Sequence, residues 1–140
     1  MAKFTLDWSE EELLDFLLIG IASHSKDYKL CYEINKSLNF DFYRTADDYT
    51  LTIKGKTDHF PMYTFADDEN LLDFYLLGNK GKQGFLVKEF KNFDYLLMIK
   101  GNIDFVDIDE YVDKLRSLNN VLTALPINVE ELKSKDYLIF

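Results

Sequence analysis

From Phe93 to Ile99 the chain is apolar on both alternating sets of positions, with Phe93, Tyr95, Leu97 and Ile99 on one side and Asp94, Leu96 and Met98 on the other. A strand of that kind is covered on both faces, which predicts a central place in a sheet. Upstream, Asp15 to Ile21 is too uniformly apolar to show a period. Phe16, Ile19 and Ile21 favour a buried strand there and Gly20 weakens a helix, while a capping box at Ser9 to Glu12 keeps a helix open as the alternative. Lys3 to Leu6 reads as a short strand. Leu30, Cys31, Ile34 and Leu38 recur at helical spacing and predict a helix over about Lys26 to Leu38.

Further on the period changes. Tyr49, Leu51 and Ile53 alternate with Thr50, Thr52 and Lys54, as in a half-exposed strand. Gly55 to His59 reads as a turn. Phe60 to Phe65 and Leu71 to Leu77 read as strands separated by the acidic turn Asp67 to Asn70, and Gly78 to Gly84 as the loop that returns the chain to the central stretch. Asp107 with Glu110 forms a capping box, Val106 can staple against Tyr111, and Ile108, Tyr111, Val112, Leu115 and Leu118 line one helical face. Val121 to Leu125 predicts a last strand, Asn128 with Glu131 opens a short closing helix, and Tyr137 to Phe140 is apolar enough to dock. The expected fold is a single α+β domain: an antiparallel sheet of about five or six strands, two main helices on one face and a short C-terminal helix.

Composition narrows the function more than the fold. A hydrophobic share of 47% over 140 residues suits one core, rich in aromatics because twelve Phe and nine Tyr contribute to it. The net charge of −9 argues against nucleic acid and against anionic membranes, both of which are bound through basic surface. No apolar run is long enough to span a bilayer, and no basic segment leads into an apolar one near Met1, so neither a membrane span nor a secretory signal is expected. Cys31 is the single cysteine, which excludes an internal disulfide and suits a reducing cytoplasm. In that compartment the triplet Asn35-Lys36-Ser37 carries no glycan.

Candidate chemistry is sparse. His24 and His59 fall in loops without metal-ligand spacing, so neither a metal nor another cofactor is expected. Cys31 with His24 could form a nucleophile and base, but a buried cysteine acting as a small apolar side chain is the simpler account. Gly81-Lys82 resembles a phosphate loop and fails on spacing, on the residue after the lysine, and on the absence of a following helix. Two carboxylates and a phenol gather at Glu89, Asp94 and Tyr95, and of the two arginines, Arg44 and Arg116, Arg44 is the expected partner for one of these carboxylates.

The segment Val87-Lys88-Glu89-Phe90-Lys91-Asn92-Phe93-Asp94-Tyr95 resembles the signature of the IPExxxVDY family of uncharacterised bacterial proteins. Glu89, Asp94 and Tyr95 match outright, Val87 and Phe93 are apolar replacements, and Lys88 stands where the pattern has proline. The resemblance extends over nearly the whole chain, through Asp15 to Ile21, Asp27 to Cys31, and Leu132 to Phe140. It implies no activity, and the missing proline means that a rigid turn at residue 88 is not essential here. Two functions are therefore expected in competition. One is a non-enzymatic interaction or scaffold protein, including a homodimer. The other is a small-molecule binder or enzyme built on Glu89, Asp94 and Tyr95, with Arg44 beside them.

Overall fold

In the computed structural model, residues 15–82, 84–133 and 135–138 are described. The elements, in order, are β1 (Leu17–Ala22), α1 (Asp27–Leu38), β2 (Tyr43–Arg44), β3 (Tyr49–Ile53), β4 (Lys56–Phe60), β5 (Met62–Asp67), β6 (Leu72–Gly78), β7 (Tyr95–Gly101), α2 (Ile108–Arg116) and β8 (Thr123–Ile127). Short 3-10 turns lie at Lys88–Phe90, Ile103–Phe105, Val129–Glu131 and Lys135–Leu138. The expected strand at Lys3 to Leu6 and the capping box at Ser9 to Glu12 lie outside the described residues, as do Ile139 and Phe140.

Six strands form one antiparallel sheet in the order β2-β5-β6-β7-β1-β8, and β3 pairs with β4 as a separate hairpin. β7 is central, as its two-sided apolar pattern predicts. Tyr95, Leu97 and Ile99, with Ile19 and Ile21 of β1, pack against Leu30, Cys31 and Ile34 of α1 and Val112 and Leu115 of α2. Both helices thus cover one face. On the other, Leu18, Leu96 and Met98 pack with Phe60, Leu86, Phe93, Leu132 and Leu138, so the hairpin and the C-terminal turns form a second covering layer. Of the stretch Asp15 to Ile21, the part from Leu17 onward resolves as strand β1, because each set of alternating side chains finds a core to enter.

Local chemistry explains most of the boundaries. Asp107 caps α2 by accepting the Asp109 N–H at 3.2 Å. α1 ends at Asn39, which takes the left-handed conformation (φ 58°) and donates its N–H to the Asn35 carbonyl. The Asn35 amide donates to the Phe42 carbonyl at 3.0 Å and accepts the Phe42 N–H at 2.8 Å. That clamp positions Phe40 and Phe42 against Phe65 and Phe74, with ring centroids 4.7 to 6.4 Å apart.

Several expectations need correction. The turn placed at Gly55 to His59 is only Lys54-Gly55, both at positive φ (52° and 80°), and Lys56–Phe60 is strand β4. The run Phe60 to Phe65 divides at Pro61, since Phe60 ends β4 and Met62 begins β5. Gly78 to Gly84 does turn the chain back, closed by an antiparallel bridge between Lys80 and Phe85, but β7 follows only at Tyr95, after a 3-10 turn at Lys88–Phe90. The strand expected from Val121 runs from Thr123 to Ile127 instead and accommodates Pro126, because β8 is an outer strand. The closing helix is two 3-10 turns rather than an α-helix.

Candidate functional site

β1, β7 and the start of α1 meet where the chain turns through Ser23, His24, Ser25 and Lys26. Three backbone groups near this turn need partners, and the residues at the start of β7 supply them. Asp94 donates its N–H to the Ile21 carbonyl at 2.9 Å and accepts the Ser23 N–H on Oδ2 at 2.8 Å. The Tyr95 hydroxyl donates to the Ser25 carbonyl at 2.6 Å. Ser23 is buried and donates its hydroxyl to the Asn120 carbonyl at 2.6 Å, which ties the turn to the segment before β8.

One helical turn on, Asp27 joins a second network. Its Oδ2 accepts the Tyr63 hydroxyl at 2.9 Å and Arg44 Nη1 at 3.1 Å, and Arg44 Nη2 reaches Asp48 at 2.7 Å. The guanidinium lies 5.6 Å from the centre of the Tyr63 ring. Arg44 therefore partners Asp27 and Asp48, and neither Glu89 nor Asp94, one of which was expected. β2 is what sets this: by pairing Arg44 with Tyr63, it directs the arginine towards the first residue of α1.

Asp94 and Tyr95 line an open cleft of about 710 Å³, together with His24, Lys26, Asp27 and Lys80. Glu89 stands elsewhere, exposed on the 3-10 turn Lys88–Phe90, where its Oε2 accepts the Lys133 N–H. The fold thus brings Asp94 and Tyr95 together, keeps Arg44 in a separate network on Asp27, which lines the same cleft, and leaves Glu89 to anchor the C-terminal segment. The strand begins at Tyr95, two residues later than the sequence suggests, and Phe93 enters the second core with Leu96 and Met98 instead of sharing a face with Tyr95. Asp94 consequently lies half-exposed at the cleft rather than among Leu96 and Met98.

Titration behaviour argues against acid–base work by the phenols. Burial, with Asp27 and Asp94 nearby, pushes Tyr95 up to about 12, and burial with the Asp27 hydrogen bond pushes Tyr63 up to about 12 against the opposing pull of Arg44. Burial and the charge on Asp27 push the Cys31 thiol up to about 11. Cys31 is a buried apolar side chain and His24 is exposed. Among the described residues no cluster of three or more His, Cys, Asp or Glu side chains could hold a metal ion.

These raised values fix a pH dependence. Between the ordinary tyrosine value of 10.0 and about 12, the folded chain keeps protons that the unfolded chain has lost. The contribution of these two phenols to stability is therefore intact below pH 10.0 and is lost as the pH rises through about 12. Urea unfolding midpoints are expected to fall across that window, and Tyr95→Phe should flatten the fall.

Asp94→Ala removes the acceptor of the Ser23 N–H, and Ser23 is 3% exposed. The expected loss is about 1–2 kcal/mol, with Asp94→Asn recovering part of it because an amide oxygen still accepts. Glu89→Ala is expected to lose less than about 1 kcal/mol, since the Lys133 N–H can turn to water. Thermal melts of the three variants check the order.

Sequence reasoning missed Asn79, which is fully buried. Its Nδ2 donates to the carbonyls of Phe93 at 2.9 Å and Phe90 at 3.1 Å, and its Oδ1 accepts the Val87 N–H at 2.7 Å. Its own N–H donates to the Asp94 carbonyl at 2.8 Å, so Asn79 holds the segment that presents Asp94 and Tyr95. A polar residue just after an apolar strand was the only signal available. Comparison with family models finds no match to this chain, and comparison with curated proteins finds none either.

Proposed function

We propose that this chain is a non-enzymatic interaction protein of the cytoplasm that docks a protein partner on the outward side of α1. The observation that carries the reading is an aromatic pair at helical spacing: Tyr28 and Tyr32, one turn apart, are 57% and 63% exposed. Both border a hollow with Asn120, and Leu122, two positions further along the chain, is 64% exposed. Tyrosine is enriched at interface hot spots because it offers a large apolar ring with a polar tip. The reading is supported from the other side by the polar candidates, which are engaged in holding the fold. The same proposal places the chain in the IPExxxVDY family, supported by Glu89, Asp94 and Tyr95.

A second copy of the chain is one form of that partner. Strand addition at the edges of the six-stranded sheet is a poor route to it, since β2 is two residues long and β8 carries Pro126 and has its Ala124 carbonyl taken by Arg116 at 2.8 Å. Light scattering at high concentration separates the cases, with twice the 16.5 kDa chain mass expected for a homodimer. The deciding experiment is a pull-down from native extract, with mass spectrometry of proteins and retained small molecules. Wild-type protein is expected to retain a partner that Tyr28→Ser/Tyr32→Ser does not.

A second reading, small-molecule binding, is favoured by one observation: Asp94 and Tyr95 share a cleft whose volume of about 710 Å³ is in the range of ligand sites. Stoichiometric retention of a small molecule, lost with Asp94→Asn and indifferent to Tyr28 and Tyr32, would favour it over the first.

A further inference from the structure

We propose that the hollow between the β3–β4 hairpin and residues 84–88 binds a small free carboxylate with an apolar body. Directly opposed residues of the hairpin are Tyr49 and Phe60, Leu51 and Asp58, and Ile53 and Lys56, so these six side chains share one face. Tyr49, Leu51 and Phe60 press that face onto the second core. Two charges therefore occupy positions where the pattern calls for apolar residues, and such a break needs a reason.

Asp58 has one. Its Oδ1 accepts the Lys82 N–H at 2.9 Å and its carboxyl group fits against Gly81, where a Cβ would come within 2.4 Å of it. Lys56 has none within the fold: among the described residues it makes no ion pair. It borders a hollow of about 240 Å³ floored by Leu51, Ile53, Phe60 and Phe85, and Lys54 and Lys88 stand on the same rim. Three lysines and one aspartate thus surround an apolar floor on a chain whose net charge is −9. Lys54 also takes a positive φ of 52°, at a turn position where asparagine or glycine is less strained.

An anionic head and an apolar body match this arrangement. A carboxylate would lie between the ammonium groups while the body covers the floor, and a cation would meet like charge. The volume is below the range of about 300–1,000 Å³ usual for drug-sized ligands, which limits the body to roughly one aromatic ring or a short alkyl chain.

The test uses the full ¹⁵N-labelled chain titrated with octanoate, and in parallel with 1-octanol and octylamine as its neutral and cationic counterparts. Octanoate is expected to shift amides of residues 51–58 and 84–88 saturably, and more tightly than either counterpart. Lys56→Gln/Lys88→Gln should weaken it by about fivefold or more, as loss of two partly exposed charge contacts implies. Lys36→Gln, on the exposed side of α1, should leave binding unchanged. All three lysines are exposed, so a thermal melt like that of the parent verifies that the double variant folds. Binding of octylamine as tight as octanoate, unchanged affinity in the double variant, shifts that map elsewhere, or no saturable shift would each overturn the proposal.

Discussion

Asn79→Ala is expected to lower the unfolding free energy by about 3–4 kcal/mol, which for a chain of this size corresponds to a fall in Tm of about 10 °C. The alanine keeps the backbone hydrogen bonds of residue 79 and removes every side-chain one. The Val87 N–H loses its acceptor, and the carbonyls of Phe90 and Phe93 lose a donor. Because Val87 and Phe93 are themselves almost fully buried, water cannot replace the amide cheaply, and each unpaired group costs about 1–3 kcal/mol. Asn79→Asp should be at least as damaging, since it keeps the acceptor for Val87 but turns a negative oxygen towards carbonyls. Urea unfolding measures both. A loss below about 1 kcal/mol for Asn79→Ala would show that residues 87–93 are held by their apolar contacts alone.

Gly20→Ala is expected to be comparably severe for a different reason. A Cβ at residue 20 would lie 2.3 Å from the ring of Phe93, and that ring is 2% exposed with no open side to move into. β1 is also held between β7 and β8, so the backbone cannot retreat. Overpacking of a core typically costs about 1–3 kcal/mol, and the depth of this overlap points to the upper end or beyond. Phe93→Ala alone should cost about 3–5 kcal/mol through the cavity it leaves. The double variant is expected to lose clearly less than the two single losses added together, because the new methyl would then occupy space the ring has vacated. Strict additivity in urea unfolding would refute the contact.

The same pair shows what the sequence could and could not disclose. The alternation from Phe93 to Ile99 was enough to place β7 centrally and to assign the faces of Tyr95 to Ile99, but it put Phe93 beside Tyr95, whereas Phe93 precedes the strand and enters the other core. Gly20 was legible as unfavourable to a helix, but the actual reason for glycine is a ring more than seventy positions away. Asn79 left no periodic trace, because its partners are carbonyls and one N–H, which every residue carries. The β3–β4 turn was misplaced because Lys54-Gly55 lacks the asparagine or aspartate that usually marks such turns, and Lys56 to His59 is polar on both sides. Arg44 was expected to pair with Glu89 or Asp94, and it pairs with neither. Its choice of Asp27 and Asp48 depended on a two-residue strand too short for any pattern to reveal.

The second covering layer of the sheet has a consequence for synthesis. Phe16, Leu18, Leu96 and Met98 enter a core whose other wall includes Val129, Leu132 and Leu138. When β7 has left the ribosome, that wall has yet to emerge, and β8, the neighbour of β1, is also missing. A nascent chain at this stage presents a bare apolar sheet face and an unpaired strand edge, the two features that invite aggregation. Folding must therefore finish late, and the growing polypeptide is a natural client for chaperones that shield apolar surface until residues 129–138 arrive.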